Sequence, residues 1–248
     1  MLTKETIQKY SDFSSKKEII VILSDSLSMP RPDESLLYEE TYPYLLQQEL
    51  GNRFEIINRG KRTNTIQEQI FDQYVYDDMI FFYPKYVVIQ LGIVDCAPRL
   101  FSRRFGKYVI GNIKPLFLKE FVIGQLSKRR IFFTKHFPRQ YVPLSKFSYG
   151  YDYLLSAVKE FGSTPIVVNI ARTSPENDRR SYGFIQHINN YNDAIGKAAQ
   201  RHNAQVIDMY KVSETNDVLL DDGIHYNKLG SKLLAQELAV AIKRNQSL

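Results

Sequence analysis

The sequence has no tryptophan and a single cysteine, Cys96. One thiol excludes an internal disulfide, so a disulfide-stapled secreted module is ruled out and a reducing compartment is expected. Long apolar runs are missing as well: none approaches the roughly 20 residues that a membrane-spanning helix needs. The opening stretch, MLTKETIQKYSDFSSKKE, lacks an apolar h-region, so no secretory signal is expected and the cytoplasm is the expected location. No internal repeat or low-complexity tract organises the chain. Histidines are few, and His136, His187 and His202 have no metal-ligand spacing with one another, so neither a metal nor a cofactor is expected.

Acid is nearly absent from one segment. Between Pro98 and Gly150 Glu120 stands alone against twelve Lys or Arg, giving +11 within a chain of net charge +6 and leaving −5 for the rest. Phe, Tyr, Ile and Leu interleave these charges, and Pro115, Pro138 and Pro143 interrupt them. The segment therefore reads as an insertion of short helices and loops over residues 98–150, where an α/β connection ordinarily takes about 2–6 residues. Such a field suits an anionic membrane surface, an anionic glycan or a phosphorylated substrate, and it adds peripheral attachment at the inner membrane face to the expected location. Nucleic acid is not an expected partner, because no recognition motif accompanies the charge.

At 248 residues and 44% hydrophobic content the chain suffices for one large domain. Ile19 to Leu23 is a run of five apolar residues bounded by small polar ones, the pattern of a buried parallel strand meeting a turn. Further strands are expected at Phe54–Ile57, Tyr86–Leu91, Pro165–Ile170 and Gln205–Met209. Helices are expected at Tyr42–Leu50, with Thr41 as N-cap, and at Asn64–Ile80, Tyr151–Phe161, Phe184–His202 and Asn227–Lys243. Five strands alternating with helices predict one α/β domain over residues 1–248, a flavodoxin-like three-layer α/β/α sandwich with a five-stranded parallel sheet.

In such sheets ligands bind beyond the carboxyl ends of the strands, where Asp25 and Ser26 follow the first strand. The same two residues also suit a turn or helix cap, so alone they do not decide. Near the other end, Asp222 and His225 sit three apart before the last helix. A carboxylate there can hold one ring nitrogen of His225 while the other faces a serine, the arrangement a weak hydroxyl nucleophile requires.

Ser24-Asp25-Ser26-Leu27 after the first strand, Gly60 after the second, Gly92-Ile93-Val94-Asp95 after the third and Asp222-Gly223-Ile224-His225 before the last helix together resemble the four blocks of the SGNH (GDSL-like) hydrolase family. The resemblance covers Glu18 to Leu91 and about Tyr151 to Lys243, and leaves out the basic insertion. It implies a nucleophile at Ser26, a general base and acid at His225, and an orienting carboxylate at Asp222. It also implies an oxyanion hole made by the backbone amides of Ser26 and Gly60. Two positions depart from the family's pattern. Ser24 replaces its first glycine, and Val94 occupies the place of an Asn whose side chain is the third oxyanion donor. Loss of one such donor costs on the order of 3 kcal/mol, or about a hundredfold in rate. Asn64 or Arg62 is the candidate replacement, Asp95 reads as structural, and Cys96 reads as a small buried hydrophobe. Asp25 and Asn64 are expected to touch the substrate, while Arg31 and Arg99 either reach a bound anion or are ordinary solvated or carboxylate-paired arginines.

The expected activity is that of a serine esterase or deacetylase removing an acyl group from a carbohydrate or similar polar ester, in the setting of surface polysaccharide biosynthesis. An O-acyltransferase using the same triad is the alternative. A glycan-binding module with an impaired oxyanion hole is a further one.

Overall fold

The structure, a computed structural model, describes residues 17–108 and 112–245. The polar opening stretch, residues 1 to 17, lies almost wholly outside them. Five strands, β1 (Glu18–Ser24), β2 (Phe54–Asn58), β3 (Tyr86–Gln90), β4 (Thr164–Val168) and β5 (Gln205–Ile207), form one parallel sheet in the order β2-β1-β3-β4-β5. The helices are α1 (Tyr42–Leu50), α2 (Ile66–Gln69), α3 (Asp72–Asp78), α4 (Ile93–Cys96), α5 (Arg103–Tyr108), α6 (Leu116–Lys128), α7 (Arg130–His136), α8 (Leu144–Glu160), α9 (Pro175–Arg180), α10 (Phe184–Arg201), α11 (Met209–Thr215) and α12 (Lys228–Arg244).

The central strands show no alternation because both faces are covered: Ile20 to Leu23 on β1 and Val87 to Ile89 on β3 have no exposed surface. Val21 lies opposite Val87 and Ile22 opposite Val88. Helix α1 packs against α12 and α8 packs against α10. The strand order reverses at β1, since the chain steps outward to β2 and then crosses to β3. The carboxyl ends of β1 and β3 therefore flank the crevice where such sheets bind ligands.

Several expected boundaries moved. The helix expected over Asn64–Ile80 is two, α2 and α3, separated at Phe71, whose backbone is extended (φ −61°, ψ 131°). Thr65 caps α2 in a reciprocal pair with Glu68, so the helix starts later than the apolar spacing suggested. Helix α8 begins at Leu144, inside the segment assigned to the insertion. Phe147 on its first turns is fully buried, and Gly150 sits where a Cβ would come within 2.9 Å of Ile66. Strand β4 stops at Val168 because the Ile170 N–H is taken by the Asn192 side chain at 2.8 Å rather than by the sheet. Helices α9 and α11 had no counterpart in the expected element order. Among the described residues no helix is long and apolar enough to cross a membrane.

Candidate active site

Ser24 closes β1, and its hydroxyl donates to the buried Gln90 side chain at 3.0 Å, so the residue that departs from glycine ties the first and third strand ends together. Asp25 Oδ1 accepts the Leu27 N–H at 2.9 Å and caps a single 3-10 turn, Ser26–Ser28. That turn presents Ser26 Oγ at 2.8 Å from His225 Nε2. His225 Nδ1 lies 2.5 Å from Asp222 Oδ2, while Asp222 Oδ1 accepts the backbone N–H groups of Ile224 at 2.9 Å and His225 at 3.0 Å. Arg31 Nη1 also lies 3.1 Å from His225 Nε2, and Arg31 pairs with Glu34 at 2.8 Å. A guanidinium only donates, so Nε2 is the accepting nitrogen and the ring proton sits on Nδ1, facing the carboxylate.

The Asp222–His225 loop is fixed from behind. Asn177 on α9 donates to Asp222 O at 2.7 Å and to Thr173 Oγ1 at 3.1 Å, and Thr173 Oγ1 donates to Gly223 O at 2.9 Å. Gly223 has φ +66°, and a Cβ there would lie 2.2 Å from Ser174 Oγ, so both its conformation and its close approach require glycine. Asn227 then caps α12 by accepting the Gly230 N–H at 2.9 Å.

The other sequence-derived site residues divide between the Ser26 pocket and its surroundings. The Gly60 N–H donates to Asn58 Oδ1 at 3.0 Å, and Gly60 does not line the Ser26 pocket. The residue of that loop which does is Thr63, held at φ +58°. A β-branched side chain in the left-handed region is strained, and such strain gathers at functional sites. Arg103 donates to the Thr63 carbonyl, and the Thr63 N–H has no partner among the described residues. Asn64 is only 4% exposed and gives its amide to Ser24 O and Gln69 Oε1, so it neither replaces the missing donor nor touches a substrate. Arg62 lines a separate depression with Lys61 and Tyr74. Asp25 has no exposed surface, so it supports the turn rather than binding substrate. Val94 does line the pocket, as does Arg99, while Arg31 reaches the His225 ring from outside that lining.

Burial dominates the electrostatics. It pushes the Asp25 carboxyl up to about 7, against the Leu27 hydrogen bond and the charges of His225 and Arg99. Asp95, which accepts the Ile66 N–H at 3.0 Å, is pushed by burial to about 8, with Asp25 adding repulsion. For Asp222 burial pulls the same way, but the hydrogen bonds from His225 and from the backbone outweigh it and bring the carboxyl to about 2. The Asp222 carboxylate is therefore ionised across the physiological range. Cys96 is fully buried and burial holds its thiol well above the ordinary range, which leaves it inert. Among the described residues no cluster of His, Cys, Asp and Glu has the makings of a metal site.

The pocket at Ser26 has a volume of about 360 Å³ and is walled by Thr63, Val94, Ala97, Phe184, Ile224 and His225, with Arg99, Arg130, Asn177 and Arg180 as its polar side. Thr63, Arg130, Asn177 and Arg180 were not found by sequence reasoning. A signal existed for two of them: Ser174-Pro175-Glu176 is a helix start, with Ser174 accepting the Asn177 N–H, and it delivers Asn177 and Arg180.

The model of the GDSL-like lipase/acylhydrolase family matches residues 25–233. Among solved structures, the lipase/acylhydrolase from Enterococcus faecalis is 16% identical with a TM-score of 0.64, covering 92% of this chain and 96% of that one. The acetyl xylan esterase AlAXEase is 17% identical with a TM-score of 0.60, covering 90% and 99%. A catalytic mutant of Axe2, an acetylxylan esterase from Geobacillus stearothermophilus, is 16% identical with a TM-score of 0.60, covering 91% and 93%. At these identities the likenesses establish the fold. No curated protein matches the sequence.

Proposed function

The chain belongs to the GDSL-like lipase/acylhydrolase family and is a serine ester hydrolase of that kind, and from that premise we propose that Ser26, His225 and Asp222 form its triad and remove a small acyl group, acetyl foremost, from an O-acylated carbohydrate. The observation that carries the proposal is the unbroken relay of 2.8 Å from Ser26 Oγ to His225 Nε2 and 2.5 Å from Nδ1 to Asp222.

In the proposed reaction Ser26 Oγ adds to the ester carbonyl as its proton passes to His225 Nε2, and Asp222 stabilises the resulting imidazolium. Arg31 must withdraw from Nε2 as that nitrogen gains its proton, because two donors cannot share the position. The tetrahedral oxyanion takes the N–H groups of Ser26 and Thr63, and the protonated His225 gives its proton to the departing sugar oxygen. Water, deprotonated by His225, then splits the acyl-enzyme and releases the acid. The acetyl xylan esterases among the structural likenesses support the choice of acyl group and acceptor.

The basic insertion supports a setting at an anionic membrane surface. Helix α6 buries none of its residues and exposes Leu116, Phe117 and Phe121 beside Lys119 and Lys128.

A fluorophosphonate probe tests the triad: the wild type should label and Ser26→Ala should not, and an unlabelled folded wild type would end the reading. Acyl release that requires a sugar acceptor would turn the assignment from hydrolase to transferase. For the membrane setting, binding to vesicles containing anionic phospholipid should weaken with salt; salt-insensitive binding, or none, would remove it.

A further inference from the structure

Arg99 after α4, Arg130 at the start of α7 and Arg180 at the end of α9 come from three distant stretches of chain and line the same pocket as Ser26 and His225. Among the described residues no Asp or Glu lines it with them. Among the described residues none of the three forms an ion pair. Arg99 Nη2 donates to Val94 O at 3.1 Å and the guanidinium lies 4.3 Å from the centre of the Tyr141 ring, while its buried Nε has no partner. Arg130 donates from Nε to Ser181 Oγ at 2.6 Å and from Nη2 to Pro98 O at 2.8 Å. These neutral acceptors aim the two side chains without neutralising them.

Arg99 and Arg130 are half-buried and Arg180 is exposed, and holding three like charges at one wall is unfavourable by itself. Arg130 is lowered from its ordinary range first by burial and then by the charges of Arg99 and Arg180. An arrangement that costs free energy in the empty pocket is favourable once an anion is bound there. Guanidinium groups also match the paired oxygens of carboxylate, phosphate and sulfate better than any other side chain. At about 360 Å³ the pocket has room for one sugar residue carrying both an ester and an acidic group.

We infer that this pocket selects an acyl ester whose sugar also carries an anionic oxygen group, held by Arg99, Arg130 and Arg180 while the ester carbonyl lies at Ser26. The inference rests on the esterase reading and narrows its substrate class to acidic glycans. Arg99 and Arg130 both belong to the basic insertion, so on this reading the insertion contributes directly to specificity.

The test compares methyl O-acetyl-glucuronoside with methyl O-acetyl-glucoside, acetylated at the same carbon, and with the 6-phosphate and 6-sulfate of the latter. At least one charged ester should exceed the neutral one by tenfold or more in kcat/KM, and the best of the three names the anion. Arg180→Gln, at a side chain with no hydrogen bond or ion pair among the described residues, should lower the charged-to-neutral ratio several-fold, with Arg130→Gln lowering it further. Calorimetry with Ser26→Ala supplies a readout independent of turnover: the charged glycosides should bind more tightly than the neutral one, less so at high salt. Equal kcat/KM for charged and neutral esters, an unchanged ratio in Arg180→Gln, or equal binding to Ser26→Ala would overturn the inference. Charge-selective binding by Ser26→Ala with no ester hydrolysed by the wild type would instead keep the anion site and end the esterase reading.

Discussion

The most direct test of the oxyanion site is to give it the donor it lacks. Val94 is 7% exposed and lies in the wall of the Ser26 pocket, and its carbonyl is pinned by Arg99 at 3.1 Å, so Val94→Asn changes the side chain with little call on the backbone. Asn is no larger than Val, and overpacking is not at issue. If the oxyanion takes the two backbone amides proposed for it, a third donor at this wall should stabilise the transition state by about 3 kcal/mol, or about a hundredfold in kcat. The ground state pays in the opposite direction. Losing two buried methyl groups and drying an amide should lower folding stability by about 2–4 kcal/mol. Turnover of an activated acetyl ester and urea unfolding measure the two effects separately. Val94→Ala is the control, because it widens the pocket without adding a donor and should leave kcat unimproved. If Val94→Asn has wild-type or lower kcat while Ser26 still labels with fluorophosphonate at the wild-type rate, the site is not short of a donor and the reasoning fails.

Other expectations follow from the buried carboxyls and the loop behind the triad. Asp95 has a folded pKa of about 8 against an unfolded value near 3.9, so its contribution to stability is full below about pH 4 and is lost as pH rises toward 8. Asp95→Asn removes that slope of about 1.4 kcal/mol per pH unit; between pH 5 and 7 the wild type should lose about 3 kcal/mol more than the variant in urea unfolding, and parallel losses would refute the assignment. Asp222→Asn removes the carboxylate that orients His225, so kcat should fall about 10²–10⁴-fold with KM little changed, while a loss under tenfold would mean that His225 is positioned by something else. Gly223→Ala puts a Cβ 2.2 Å from Ser174 Oγ at φ +66°, so it should cost at least 1–3 kcal/mol and slow Ser26 labelling; paired Ser174→Ala should recover part of the loss.

By itself the sequence determined the sheet, and through its resemblance to a known family it singled out the three residues that the fold joins by hydrogen bonds. Five short strand-like stretches alternating with helical patterns leave few alternatives to a parallel sheet, and the central Ile19–Leu23 and Tyr86–Leu91 carry almost no polar positions because both of their faces are covered. Ser26, Asp222 and His225 were legible because each sits in a short local pattern, a strand end or a turn before a capped helix; neither pattern decides alone, and the resemblance of the four blocks to the SGNH family is what joined them. The rest of the site depended on distance in space. Gly60 looked like the oxyanion donor because it is a glycine in the right loop, but the fold uses its N–H on Asn58 and places Thr63 at the pocket. Asn64 looked free until the carbonyl of Ser24 claimed its amide. The three arginines are separated by 31 and 50 positions, and no periodicity links them. Only the packing of α7 and α9 beside the third strand's end brings their charges together, since side chains that share no element can be gathered only by tertiary contact.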